Sequence, residues 1–327
     1  MKCKDKVYGE IELNEPVIID LVNSRELQRL KEIDQAGYYE PYHPGSKHNR
    51  FEHSLGVCFL LNKFGASIEE QIAGLIHDVS HSAFSHAVDY VLSEGSEKEQ
   101  NHQDNYFEEY VLNSNIPKIL EKHGFDASYV LDENNFPLLE TKLPDLCADR
   151  IDYSLRGLIA YKMAGSDKVK EILEKLAVKD KKWVFKDFNS AYEYAKLFKV
   201  LNEDFYAAIT TAVMFRRLGD YLKHALSQEY VTKKDLYTTD KEVLDKINKN
   251  LAKDEQLNLL WKKMNDGGGY ENNPNDYDAE VYCKSRIVDP LCLHDRKIRK
   301  VSEIKIEWAD IVKKELEPKG YFIKFSN

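Results

Sequence analysis

The stretch "GLIHDVSHSAFSH", residues 74–86, carries His77, Asp78, His81 and His86 in a chain that holds ten histidines in all. Imidazoles beside a carboxylate are the groups that bind a divalent ion or move a proton. His77 and Asp78 end the apolar run "QIAGLIHDV". A carboxylate there is costly to bury unless it is paired or coordinated, and an isolated pair of this kind reads as a solvent-facing helix end. Two further residues change the reading. His53 lies on the preceding predicted helix, and Asp149 on the later segment "DLCADRIDYSLRG". Two imidazoles and two carboxylates from three helices form a mixed N/O set suited to one divalent ion (Mn, Fe, Co, Ni, Mg or Zn). Such a set leaves coordination positions open for water and a substrate oxygen.

Other polar residues are spaced to serve that cleft. His81 stands one predicted turn beyond His77, so both can face one side. His86 and Asp89 are three apart, and a carboxylate beside an imidazole fixes its tautomer and raises its basicity, as a general acid requires. His102 in "NHQDNYF" can complete that relay, and Arg50, three residues before His53, brings a permanent cation suited to a phosphate oxygen. Asp149, Asp152, Tyr153 and Arg156 share one helix face. Arg156 divides evenly between a salt-bridging and a ligand-binding role. His43, His48 and His123 are read as structural or solvated, and Tyr38, Tyr39 and Tyr42 as packing residues.

Helical periodicity dominates the elements that must hold these groups. Helices are predicted over 23–37, 50–65, 67–81, 104–114, 116–124 and 142–165, with Ser67 and Glu70 at capping-box spacing and Pro144 in a first turn. Beyond about residue 166, "KKWVFKD" reads as a short strand or hairpin arm. Residues 189–226 read as two long helices or one interrupted helix. Thr239 and Glu242 have capping-box spacing, "NDGGGYENNPNDYD" reads as a loop, and the tail mixes strands with a helix over 307–316. The expected fold is mainly α, a helical bundle over 1–165 holding the catalytic groups, with a smaller α+β region over 166–327 packed on it.

The net charge of −9 argues against broad affinity for nucleic acid, and no apolar run approaches the ~20 residues of a membrane span. Five cysteines without CxxC spacing read as reduced thiols in a cytoplasmic protein, with no cysteine-based zinc site.

"HNRFEHSLGV", "HDVSHSAFSHAVD" and "ADRIDY", together with the upstream "LQRLKEIDQAGYYEPYHPGSKHNRFEHS", resemble the motifs of the HD-domain phosphohydrolases, closest to the branch of deoxynucleoside triphosphate triphosphohydrolases. The similarity is dense over residues 7–160. The resemblance implies an HD-domain helical bundle and makes His53, His77, Asp78 and Asp149 the metal ligands. It sets His81, Arg50 and Asn49 near phosphates. His86, supported by Asp89 and His102, would protonate the leaving oxygen or position the attacking water. Gln35 matches a glutamine that contacts the sugar hydroxyl, Tyr153 matches the tyrosine that packs on the deoxyribose, and Asp152 joins this substrate-binding group. Two departures stand out. Gly157 replaces the aspartate usual four residues beyond that tyrosine, and "FYAAITTAVMFRRLGD" lacks the histidine and basic residues expected to grip a triphosphate, with only Arg216 and Arg217 as substitutes. The expectation is a metal-dependent phosphohydrolase acting on a small-molecule nucleotide, with manganese among the candidate ions, in a homo-oligomer, most simply a dimer. The alternatives are a di-iron oxygenase of a small phosphonate or polyol, drawing extra ligands from His81, His86 or His102, and a non-catalytic nucleotide-binding module.

Overall fold

A computed structural model describes residues 1–92 and 94–326. The chain opens with a hairpin, Lys2–Asp5 paired antiparallel with Gly9–Glu12, and continues into helices. The Arg50–Lys63 helix begins at Asn49, whose side chain accepts the Glu52 N–H at 2.9 Å. It packs on the helices Ile68–Ile76 and Ala148–Ala160. Glycines set both contacts. A Cβ on Gly56 would stand 2.0 Å from the Arg156 guanidinium and 2.1 Å from the Asp152 carboxylate, and one on Gly74 would stand 2.5 Å from Leu61. Only a residue without a side chain lets the helices come this close, so the glycine of "HSLGV" is what allows Asp152 to reach the His53 helix.

Several local expectations change. Ser67 accepts the Glu70 N–H, but the Glu70 carboxylate serves the N–H groups of Leu138 and Leu139 instead of closing a capping box. The helix expected to reach residue 81 stops at Ile76, with His77 at its C-cap. His77 and His81 therefore share a cleft through a turn and not through one helical face. Pro144 precedes its helix, which starts at Ala148. Residues 189–226 are two helices, Phe188–Leu201 and Ile209–Ser227, separated by the π-helical turn Asn202–Tyr206. The glycine-rich segment contains a strand, Tyr270–Asn272, which pairs with Lys319–Phe325; that strand also pairs with Ala279–Cys283. A second sheet has the order Leu176–Lys179, Lys182–Phe185, Leu291–His294, Lys297–Lys300, with the middle pair parallel. The late helix spans Ile306–Glu315. No described helix is long and apolar enough to cross a membrane, and the five cysteines are free thiols.

The fold is mainly α, and its apolar side chains gather into two clusters. One joins Leu55, Val57 and Leu75 with Trp183, Phe198 and Trp308. The other joins Phe84 and Val88 with Met214, Leu218, Leu236 and Ile323. Each cluster draws on both sides of residue 165, so the core does not divide at that boundary. The segment running from Ile76 in the first cluster to Phe84 in the second carries His77, Asp78 and His81.

Candidate metal centre and its cavity

His53 and His77 meet through their Nε2 atoms, 3.2 Å apart, and Asp149 Oδ1 lies 2.9 Å from the first and 3.5 Å from the second. The other ring nitrogens are already committed. His53 Nδ1 donates to Asp152 Oδ1 at 2.8 Å, and His77 Nδ1 donates to the Gly74 carbonyl at 2.7 Å. Both Nε2 atoms are thereby turned toward the carboxylate, the tautomer a metal-binding imidazole needs. Their separation suits two nitrogens that each sit ~2.1 Å from a shared ion. Asp78 stands beside them, Oδ2 3.7 Å from His53 Nε2 and Oδ1 3.5 Å from His77 Nε2. The field is strongly negative. Burial alone would lower the His53 pKa, yet Asp149, Asp152 and Asp78 raise it to about 9. The same field favours a cation among the three atoms, so the donor set fits a divalent metal.

Behind the cluster runs a buried network. Asp152 is fully buried, and besides His53 it accepts from Arg156 Nε at 2.7 Å and from the Tyr8 hydroxyl at 2.8 Å; Arg156 also pairs with Asp5 at 2.9 Å. This corrects the assignment of Asp152 to substrate binding, because Oδ1 holds His53 and both oxygens are taken up by His53, Arg156 and Tyr8. It also settles Arg156 as a salt-bridging residue. Arg50 donates to Asp78 Oδ2 at 2.6 Å, to Ser85 Oγ at 2.7 Å and to the Gln35 carbonyl at 3.3 Å. Burial raises the Asp78 pKa, but Arg50 and the two imidazoles bring it below the usual carboxylate value.

A cavity of about 730 Å³ opens over the cluster, and Gln35, Arg50, His77, Asp78, His81, His86, Asp149 and Tyr153 line it. His81 Nε2 stands 3.4 Å from Asp78 Oδ1, and burial with Arg50 nearby holds its pKa well below the usual histidine value. His86 Nδ1 faces Asp89 Oδ2 at 3.5 Å, and its pKa is lowered by burial against the pull of that carboxylate. Asp89 is buried behind it and takes the His102 backbone N–H at 3.2 Å. The His102 ring leaves the relay: its Nε2 bonds the Tyr237 hydroxyl at 2.9 Å, outside the cavity lining. Asn49 is likewise a helix cap outside the lining and not a phosphate neighbour. Among the described residues, the groupings that could hold a metal are His53–His77–Asp149 and Glu140–Cys147–Asp149. Arg150 already serves the second, 2.8 Å from Glu140 and 2.9 Å from Cys147 Sγ. Neither includes His81, His86 or His102, the residues a second iron would need.

The far wall comes from residues that no motif marks: Tyr161, Tyr206, Thr211, Phe215, Lys284 and Arg286. The Tyr206 hydroxyl reaches the Tyr153 carbonyl at 3.3 Å and would stand 2.6 Å from a Cβ on Gly157. Tyr206 thus fills the space into which a side chain at 157 would grow. Arg216 pairs with Asp220 and Arg217 serves the carbonyls of Asp266 and Gly268, so neither reaches the cavity.

The HD domain model matches residues 50–157. The uncharacterized protein YdhJ of Bacillus subtilis is 33% identical over 327 residues, 99% of each chain. This chain belongs to the HD-domain family. The metal-dependent phosphohydrolase cns2 of Cordyceps militaris is 28% identical over 88% of this chain and 83% of its own. The mouse deoxynucleoside triphosphate triphosphohydrolase SAMHD1 is 36% identical over 140 residues, 36% of this chain and 21% of its own. Membership of the HD-domain phosphohydrolases carries hydrolase chemistry and a divalent metal with it.

Proposed function

We propose that the chain hydrolyses a phosphoester or phosphoanhydride bond of a nucleotide at one divalent ion held by His53, His77, Asp78 and Asp149. The observation that carries this reading is the convergence of two Nε2 atoms and a carboxylate oxygen within 3.5 Å at the wall of a cavity large enough for a nucleotide. A divalent ion there supplies Lewis acidity toward a phosphoryl oxygen and lowers the pKa of a bound water. Arg50 uses three of a guanidinium's five N–H donors on Asp78, Ser85 and Gln35, which leaves donors for charge that builds on phosphorus. His81 adds an imidazole on the same side. His86, backed by Asp89, handles the proton of the leaving oxygen or the attacking water. Tyr153 and Tyr161 offer aromatic faces to a nucleoside, and the buried Gln35 Oε1, without a hydrogen-bond partner in the structure, offers an acceptor for a sugar hydroxyl.

The test is a screen of nucleoside mono-, di- and triphosphates with Mn, Mg, Co and Ni, reading the phosphorus product by NMR. Asp149→Ala, chosen because its side chain is 22% exposed and not locked in the core, lowers kcat/KM by about 10³-fold or more, the scale of a metal's contribution. Turnover retained in this variant overturns the assignment.

A further inference from the structure

The strand Ala279–Cys283 is followed by a segment in which burial keeps alternating with a period of two. Ala279, Val281, Cys283, Ser285 and Ile287 are buried, while Tyr282, Lys284 and Arg286 are only partly so. Successive side chains of an extended segment point to opposite sides. Ser285 therefore turns into the protein, and Lys284 and Arg286 turn together into the cavity that they line. One residue fixes this register. Asn202 Nδ2 donates to Ser285 Oγ at 2.9 Å, and Asn202 Oδ1 accepts the Arg286 backbone N–H at 2.8 Å. Asn202 also opens the π-helical turn that ends at Tyr206. The two cations and that tyrosine are thus anchored to the same point.

Like Lys142, which also lines the cavity, the cations of this wall differ from the two arginines on the metal side. Arg50 is paired with Asp78, and Arg150 with Glu140. Lys284 and Arg286 form no salt bridge among the described residues; Arg286 rests on neutral acceptors, the Lys284 carbonyl at 3.2 Å and Gln100 Oε1 at 3.1 Å. Asp104, which also lines the cavity, accepts from Gln103 Nε2 at 2.6 Å and acts on Lys284 without forming a salt bridge to it. Two partly buried cations two residues apart, neither in a salt bridge among the described residues, are costly unless a ligand supplies further negative charge. Burial, reinforced by Arg286, lowers the Lys284 pKa against the pull of Asp104 and Glu99. The helix Ile209–Ser227, which lines the cavity through Thr211 and Phe215, contributes no cation to it.

We propose that Lys284 and Arg286 bind the phosphoryl groups beyond the one at the metal, which makes nucleoside di- or triphosphates, and not monophosphates, the preferred substrates. This rests on the nucleotide reading above. It assigns to this segment of the C-terminal region the grip that the Ile209–Ser227 helix does not provide.

Two measurements test it. In the wild type, with free Mn²⁺ held constant, inorganic tripolyphosphate and orthophosphate are compared as inhibitors of bis(p-nitrophenyl) phosphate hydrolysis; tripolyphosphate binds more tightly, and equal inhibition constants overturn the proposal. Lys284→Gln and Arg286→Gln are then compared on a nucleoside triphosphate and its monophosphate. Each substitution raises KM for the triphosphate by about 10- to 100-fold more than for the monophosphate, the scale of a lost charge-assisted bond, and Arg286→Lys recovers part of the loss. Equal losses on the two substrates overturn the assignment while leaving nucleotide hydrolysis standing. A wild type that turns over no nucleotide, yet whose tripolyphosphate inhibition weakens in both glutamine variants, keeps the anion-binding arm and removes the nucleotide.

Discussion

The two walls of the cavity are built on opposite terms. On the metal side, the groups that would hold the ion are held by partners: Asp152 and Gly74 fix the imidazoles, Arg50 fixes Asp78, and Arg156 with Tyr8 fixes Asp152. Beside them, the buried His81 Nδ1, His86 Nδ1 and Asp89 Oδ2 have no hydrogen-bond partner among the described residues. On the far side, Lys284 and Arg286 form no salt bridge among the described residues, and Arg286 rests on neutral acceptors. A wall whose ligand groups are satisfied from behind serves to hold a fixed geometry for the ion that its negative field favours. A wall with unspent charge is completed by what enters. On the function proposed above, the chemistry belongs to the first wall and the choice of substrate to the second.

The sharpest way to break this division is to loosen the satisfied wall from behind. Asp152→Asn weakens the hold on His53 without touching a cavity atom, and metal affinity, measured by titration calorimetry, falls about 10- to 100-fold. Unchanged affinity would mean that the network does not position the ligand.

A smaller effect is expected at the seam between the walls. Asp240, in the first turn of the Asp240–Asn248 helix, accepts the backbone N–H groups of Asp34 at 2.9 Å and Phe84 at 2.7 Å. It thereby ties the Gln35 loop to the turn that carries His86. Burial, only partly offset by those two N–H groups, raises its pKa from 3.8 to about 7. The folded chain keeps a proton there that the unfolded chain has lost, so this carboxyl makes stability fall as pH rises from about 4 to about 7. Asp240→Asn removes that slope in denaturant unfolding followed across the window, and it lowers kcat/KM up to about tenfold as one of the two N–H bonds is lost. Identical slopes in the two proteins would contradict the burial of this charge.

The smallest effect is at His102. With its ring on Tyr237, His102→Phe costs about 1 kcal/mol of stability and leaves the pH dependence of kcat in place. A displaced profile would return His102 to the proton relay.

The satisfied wall was the legible one. His53, His77, Asp78 and Asp149 stand at motif spacing in apolar helices, where a buried imidazole or carboxylate has to be paired or coordinated. Partners within that wall were harder to sort. Asp152 and Tyr153 are adjacent, and only the bonds of Asp152 to His53, Arg156 and Tyr8, in the space left open by Gly56, show that Asp152 turns inward. His102 and Asn49 carry the right chemistry at the right distance in sequence, yet a tyrosine 135 residues away claims one and a helix start claims the other. The end of the His77 helix had no glycine or proline to announce it. Tyr206, Asp240, Lys284 and Arg286 answer to contacts made across long stretches of chain. Their one local signal is the alternation in "AEVYCKSRI", where a basic residue falls on every second position after the strand. The strand Tyr270–Asn272 was hidden for the same reason, since its partner lies at 319–325.

On the proposed function, one divalent ion sits between His53 and His77, and anomalous diffraction from crystals grown with Mn²⁺ locates it. One peak per chain, bonded to both Nε2 atoms and to Asp149, is the predicted result. A peak seated on Glu140 and Cys147 instead, or no peak at the paired imidazoles, would contradict it.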